Sequence, residues 1–397
     1  MTSDVEDLAG TVVVDREELR EMREAVHTMV GALRSGDDPR LPAPDEATRR
    51  ALWRRMAEEH ALLGLHLPPE HGGQGLSASF SALVAEAHGH HLVRSPFLGS
   101  QVLAAPVLMA TASEDQRRRL LTPLLEGHAT ATLAGADRGM LLLDAPATGR
   151  STGDPERPVV TRTADGPLLT GRAPFVCDAS GADWLLVLAE VEGRDELTVV
   201  VVQPGARGLA TSPQRTLDTT RSRTVLDLDA TPGEELGHVT PDGLRRALAE
   251  STVMVAAEAV GGARACLDST LEYVRLRHQF DRAIGSFQAV QHQLADLFGE
   301  LESAEACVDA AASALDSVPA AVPATPAGLA ELVEAASLAK AVAADTFVHV
   351  ARETVHLHGG IGFTWEHDAH LYYKRALADL SLLGHPAEHR RALVADW

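Results

Sequence analysis

Aromatic residues are scarce in this chain. Its 397 residues include 8 Phe, 4 Trp and 3 Tyr, or 4%, so a core built on large rings is excluded and smaller aliphatic side chains must fill it. Alanine and leucine are abundant, and such a composition leans helical. Cysteine is nearly absent. Cys177, Cys266 and Cys307 are the three; none forms a C-x-x-C pair, which excludes a disulfide framework and reads as reduced thiols of a cytoplasmic protein. Basic residues are outnumbered, 35 against 56 acidic ones, for a formal charge of −21. A field of that sign opposes nucleic acid and anionic membrane surfaces, and a polyanionic ligand would need a local basic patch. No apolar run is long enough to span a bilayer. The acidic start, Met1 to Asp7, has no basic segment of the kind that opens a secretory signal.

Hydrophobic residues make up 45% of the chain, enough for a soluble core, and the length suits two or three domains. Residues 1–128 read as helices. Asp15 to Arg23 is charged and amphipathic, Thr48 to Leu63 and Ser79 to Leu92 have helical periodicity, and Ser113-Glu114-Asp115-Gln116 is a helix start. A Pro- and Gly-built turn runs from Leu67 to Gly75. Residues 129–237 change pattern. Val159 to Thr163 and Leu168 to Gly171 read as a hairpin around Asp165-Gly166; Trp184 to Ala189 and Leu197 to Val202 are continuous apolar strands; Arg223 to Leu228 alternates. Residues 238–397 return to helix. No proline occurs between Asp242 and Val318, the segment Val318 to Pro326 breaks the run, and helices follow over Ala327 to about His358 and about Asp368 to Leu383. The expected class is α+β: an N-terminal helical domain, a central antiparallel β domain and a C-terminal helical bundle. The helices after Asp242 carry more alanine and leucine than one bundle hides from water, which implies an oligomer.

One stretch concentrates chemistry. After the helix that ends near Arg277, Arg277 and Arg282 supply guanidinium forks suited to phosphate. Phe280 and Phe287 offer flat apolar surface, and Gln288 and Gln291 lie three apart on one side of the next helix. A ligand with a diphosphate and a flat ring fits this set; a polar helix–helix corner with solvated arginines is the plainer reading. Gly359 and Gly360 follow a long helix, as a C-cap or as a place of close backbone approach to a ligand. Histidines cluster at His88-x-His90-His91, His367-x-x-His370 and His385-x-x-x-His389. No cysteine pair or carboxylate triad accompanies them at ligand spacing, so no metal site is expected.

The run from Arg277 to Gln291 resembles the R-x-Q-F-G-x-P-I-x-x-F-Q-x-x-Q signature of the acyl-CoA dehydrogenase family, and His356 to Thr364 resembles its Gly-Gly-x-Gly-Phe segment. Pro69 to Gly75 resembles a further loop of that family. The resemblance implies the family's three-part fold with a C-terminal four-helix bundle that builds a tetramer. It also implies FAD as cofactor and α,β-dehydrogenation of an acyl thioester with hydride transfer to flavin N5. An electron-transfer flavoprotein or similar acceptor would take the electrons. In the family, residues matching Arg277, Phe280, Phe287, Gln288, Gly359 and Gly360 serve the flavin, largely that of a neighbouring subunit, and His356 stands where a glutamine is usual. Phe175 looks like the aromatic residue on the ring, with Cys177 in place of the threonine facing N5. The T-E-P-x-x-G-S-D stretch has no match; Leu133 to Gly139 stands there instead. Gly362 to Ala376 resembles an actinobacterial branch that handles bulky acyl-CoA chains and often pairs unlike subunits.

The resemblance also exposes a gap. Dehydrogenation needs a carboxylate to take the α-proton, and Leu383 fills the common position of that glutamate. The alternative family position falls on Ser251, with Glu250 as its neighbour. Glu250 is therefore the candidate base, although an exposed charge beside Arg246 at i−4 accounts for it equally well. Three readings follow: a working dehydrogenase, a non-catalytic partner subunit of a heteromeric enzyme, and a biosynthetic enzyme acting on a carrier-bound acyl group.

Overall fold

The computed structural model describes residues 16–34, 37–41, 43–136, 139, 157–320 and 324–395. Helices come first: α1 (Arg16–Leu33), α2 (Glu46–Glu58), α3 (Ala78–His91), α4 (Ala105–Thr111), α5 (Glu114–Gln116) and α6 (Thr122–Leu125), with a wide helical turn at Leu98–Ala104 leading into α4. Side-chain caps explain where they start. Asp45 accepts from the Thr48 amide ahead of α2, and Ser113 and Gln116 bond reciprocally around α5.

The sheet consists of β1 (Ala131–Ala134), β2 (Val159–Thr163), β3 (Gly166–Cys177), β4 (Trp184–Val191), β5 (Leu197–Val202), β6 (Leu209–Pro213), β7 (Arg223–Pro232) and β8 (Glu234–Glu235). Its order is β6-β7-β3-β2-β4-β5-β8, with β1 also on β4. The hairpin between β2 and β3 closes where expected, with Thr163 opposite Gly166. The expectation of a wholly antiparallel sheet needs correction. β4 pairs in parallel with β1, Ala131 opposite Trp184, and with β2, Val159 opposite Glu190. Neither strand reaches β4 through a tight turn, and side-chain alternation carries no information about strand direction. That alternation does divide the core. Leu186, Leu188, Val199 and Val201 face the helices, whereas Leu185, Val187, Val200 and Val202 face a second, smaller cluster.

The remaining elements are α7 (Pro241–Leu276), β9 (His278–Gln279), β10 (Arg282–Ala283), α8 (Gln288–Asp316), α9 (Pro326–His358), α10 (Ala369–Asp379) and α11 (Pro386–Leu393). Thr240 and Thr325 cap α7 and α9, each with proline at the first helical position. Rather than four equal helices, three long ones carry two short ones packed on α9. Among the described residues no helix is long and apolar enough to cross a membrane.

α7 is buried along most of its length, between α3 and α9. Glycines permit this. A Cβ at Gly89 of α3 would stand 1.9 Å from the Glu258 carbonyl oxygen, and one at Gly261 of α7 would stand 1.8 Å from that of Glu86, so the two backbones touch. Gly261→Ala should destabilise the chain by about 1–3 kcal/mol or more through overpacking against backbone. Denaturant unfolding checks this; an unchanged midpoint would contradict the close crossing.

Candidate functional site

A cavity of about 650 Å³ opens between the sheet and the C-terminal helices. Leu133 to Ala136 at the end of β1 form one wall, and Pro174 to Cys177 at the end of β3 another. Leu377 of α10, with Leu382 and Leu383 just beyond it, closes it on the helical side, and Leu103 adds to its apolar lining. Asp137 and Arg138 lie outside the described residues.

Phe175 reaches the cavity through a backbone irregularity. Register between β3 and β7 shifts between Ala173 and Val176, and Phe175 has φ 58, so a bulge turns its ring outward, 57% exposed. Gln214 holds the position by accepting from the Phe175 amide at 2.9 Å. Cys177 also lines the cavity but is not simply a thiol donor aimed into it. Its sulfur lies 2.6 Å from Arg223 Nη1 and accepts from it. Burial pushes the Cys177 thiol above its ordinary pKa, against the pull of Arg223. Arg223, Arg215 and Lys374 bring three cations to the cavity wall, the local basic patch that an anionic ligand needs on so acidic a chain. Lys374 sits 4.9 Å over the Trp365 ring. Sequence reasoning missed these three, since they are dispersed along the chain and converge only in the fold.

Leu383 lines the cavity and is 1% exposed. Its backbone is left-handed, φ 59, and Gly384 follows at φ 101. His389 Nε2 donates to the Leu383 carbonyl at 3.0 Å; burial lowers the His389 pKa to about 4, so the ring stays neutral while fixing this turn. Asp218 and Glu388 are the carboxylates among the described lining residues. Asp218 accepts from Arg375 and Thr220, and Glu388 accepts from the His385 amide at 2.9 Å.

Glu250, the candidate base, lies elsewhere. It is 1% exposed, does not line the cavity, and accepts from His66 Nε2 at 2.8 Å and Arg246 Nη1 at 2.6 Å. Burial alone would raise its pKa, but the charges of His66 and Arg246 and their hydrogen bonds bring it to about 2. A carboxylate so engaged is a poor proton acceptor, and it is not the surface charge of the plainer reading either. Its neighbour Ser251 points another way, donating to the Val102 and Ala247 carbonyls. One helical residue turns the side chain about 100°, which separates the two.

The other candidates form a separate surface. Arg277 ends α7, and β9 and β10 make a two-residue hairpin whose turn is Phe280 and Asp281, at φ 55 and 62. Both residues are left-handed, the geometry of the tight hairpin turn that glycine fits best. Phe280 is 86% exposed and meets Phe287 edge-on at 6.2 Å, while Arg282 stacks on Phe287 at 3.8 Å. Gln288 is exposed; Gln291 is occupied, donating to the Gly285 carbonyl at 3.0 Å. His356 is exposed, with its Nδ1 3.3 Å from Glu353. A Cβ at Gly359 or Gly360 would meet nothing in this chain. None of these residues lines the cavity. The cofactor candidates are thus divided, Phe175 and Cys177 at the cavity and the others on an exposed face, while Glu250 is buried apart from both.

Residues 16–128 match the family "Acyl-CoA dehydrogenase, N-terminal domain", and residues 243–396 match "Acyl-CoA dehydrogenase, C-terminal domain". The chain is 32% identical over 383 residues to the acyl-CoA dehydrogenase IpdE2 of Mycobacterium tuberculosis, covering 96% of this chain and 97% of that protein. It is 30% identical over 364 residues to the acyl-CoA dehydrogenase FadE27 of the same organism, covering 88% and 89%. Among solved structures, the ChsE4-ChsE5 complex from Mycobacterium tuberculosis superposes with a TM-score of 0.79 at 27% identity, covering 97% of this chain and 99% of that one. A Tcur3481-Tcur3483 steroid ACAD variant gives 0.79 at 29%, covering 95% and 96%.

Glu250→Gln separates base from buried ion partner. Removing the charge leaves Arg246 uncompensated, so unfolding free energy should fall by about 3–5 kcal/mol at neutral pH. The folded-state pKa lies below the unfolded value, so the carboxylate's contribution is complete above about pH 4.3 and disappears as pH falls toward 2. The gap between wild type and variant should therefore close over that interval. Denaturant titrations across pH measure it; equal stability at pH 7 would contradict the assignment.

Proposed function

The chain belongs to the acyl-CoA dehydrogenase family, and from that premise we propose that it is a subunit of an oligomeric FAD-dependent dehydrogenase acting on a bulky acyl thioester. The observation that supports this most is the division of the candidate residues between a cavity and an exposed face. In a two-chain site, the cavity of one subunit receives the flavin ring and acyl chain, and the exposed face of its neighbour covers the dinucleotide.

The residues fit FAD on both sides. On the exposed face, Gly359 and Gly360 leave their backbone uncovered, Arg277 offers a bidentate fork for a diphosphate, and Phe280 and Gln288 supply a flat surface and an amide. In the cavity, Phe175 would cover the ring and the wall from Leu133 to Ala136 would present backbone groups. When bound, FAD supplies the two-electron acceptor, and an electron-transfer flavoprotein or similar protein would draw electrons onward. The largely apolar lining gives room for a large acyl chain; Arg215, Arg223 and Lys374 offer charge to the phosphates of a CoA ester.

Leu383 supports a second reading. Its hydrocarbon stands in the cavity wall at the family's glutamate position and cannot accept a proton. Glu250 is engaged by His66 and Arg246. On this reading the chain contributes the exposed face to a catalytic partner's site, as a non-catalytic half of a pair. A cavity serving a carrier-bound acyl group instead would also tolerate the loss of the base.

Arg277→Ala should release flavin on gel filtration, leaving a colourless protein of unchanged helical content. Retention of the yellow colour would remove Arg277 from the site. Bleaching of the flavin by acyl-CoA under anaerobic conditions then tests activity. If wild type alone is inert, Leu383→Glu should raise the bleaching rate on the order of a hundredfold or more, the usual weight of a general base. No gain in a flavin-loaded variant would favour the partner-subunit or carrier-bound reading.

A further inference from the structure

Three histidines that no local sequence pattern joins meet where α1 crosses α3. His27 comes from the middle of α1, and His90 and His91 from the last turn of α3. One ring nitrogen from each lies within 4.8 Å of the others. The rings stand edge to face, with centroids 4.8 Å apart for His27–His90, 5.6 Å for His27–His91 and 4.6 Å for His90–His91. His27 Nε2, His90 Nδ1 and His91 Nε2 are all buried and have no hydrogen-bond partner. Buried polar atoms are ordinarily paired, and three orphans converging on one point call for an explanation. None of these residues lines the flavin-sized cavity.

We propose that His27, His90 and His91 form a binding site for a zinc-like divalent cation that fastens α1 to α3. Three imidazoles are the donor set such borderline cations prefer. Zinc–nitrogen bonds of about 2.0–2.1 Å in a tetrahedron place ligand nitrogens about 3.4 Å apart, so small tilts of the three rings close the site. Glu86, one helical turn before His90, lies beside His27 rather than at the meeting point of the three rings, which leaves the fourth position to water. Its Oε1 lies 3.7 Å from His27 Nε2 and is itself buried without a partner. On the far side of His90, Nε2 is 3.8 Å from the Asp268 carboxylate of α7, the carboxylate–imidazole–metal order that fixes ligating rings. Gly31, one turn from His27, leaves the space for the third ring: a Cβ there would stand 3.1 Å from His91 Cε1.

The surrounding charges permit a cation. Arg23 pairs with Glu86 and Glu305, and Arg34 with Asp368, so each nearby guanidinium has its own carboxylate. Burial first, then the charges of His90, His27 and Arg34, lowers the His91 pKa to about 4.

The full-length protein, stripped with chelator and dialysed against zinc sulfate, should retain one zinc per chain by elemental analysis. Cobalt(II) should give the intense visible bands of tetrahedral coordination. Zinc should raise the melting temperature of wild type by several degrees, as a ligand of the folded state does. His27→Gln and His91→Gln should each lose the zinc, the cobalt bands and the thermal shift. His128→Gln, an exposed histidine elsewhere, should keep all three. Wild type that retains no zinc above the level of His27→Gln, or a His27→Gln/His91→Gln double variant that still retains one per chain, would overturn the proposal. The wild-type measurement decides even if a variant fails to fold.

Discussion

Six charged side chains buried between the sheet and the helices fix the relation on which the cavity depends. Arg221, in the loop before β7, pairs with Glu258 of α7 and Asp379 of α10. Arg375 of α10 pairs with the same Glu258 at 2.6 Å and with Asp218 at 2.9 Å, and donates to Thr220. Lys340 of α9 donates to the Asp379 carbonyl at 2.6 Å. Three cations and three anions, nearly all inaccessible to water, balance one another. Removing water from such groups is costly, and deleting one member of a buried pair typically destabilises by about 3–5 kcal/mol. The network's value is positional: it ties the loop before β7, which supplies Arg215 to Asp218 and then Arg223, to the helix that supplies Lys374 and Leu377, and those residues are opposite walls of the cavity.

With the walls fixed, the asymmetry of the site becomes informative. The cavity holds a bulge-presented phenylalanine, three cations and, in its wall, Leu383. The exposed face holds an arginine, a ring, an amide and two uncovered glycines. The two sets do not meet within one chain. The close crossing of α3 and α7 at Gly89 and Gly261 seats α7 against its neighbour, and the Phe280–Asp281 hairpin follows its C-terminal end.

Much of this was legible in the residues. The proline-free run from Asp242 and the break at Val318 to Pro326 marked the long helices, and the Arg277 to Gln291 pattern marked the exposed face. The direction of β1 and β2 on β4 was not legible, because apolar alternation is the same for parallel and antiparallel pairing. The surroundings of Glu250 were not legible either: a helix turns neighbours such as Glu250 and Ser251 to different faces, and His66, distant in sequence, completes its ion pair. The cavity's cations and the meeting of His27 with His90 and His91 are tertiary facts with no local signature.

The central claim is that the flavin site is shared between two chains. Size-exclusion chromatography with light scattering, read simultaneously for protein and flavin absorption across a dilution series with FAD present, tests it most directly. The account predicts that flavin colour elutes only with species of two or more chains and vanishes as they dissociate. Flavin eluting in stable proportion with a single 42.1 kDa chain would contradict it.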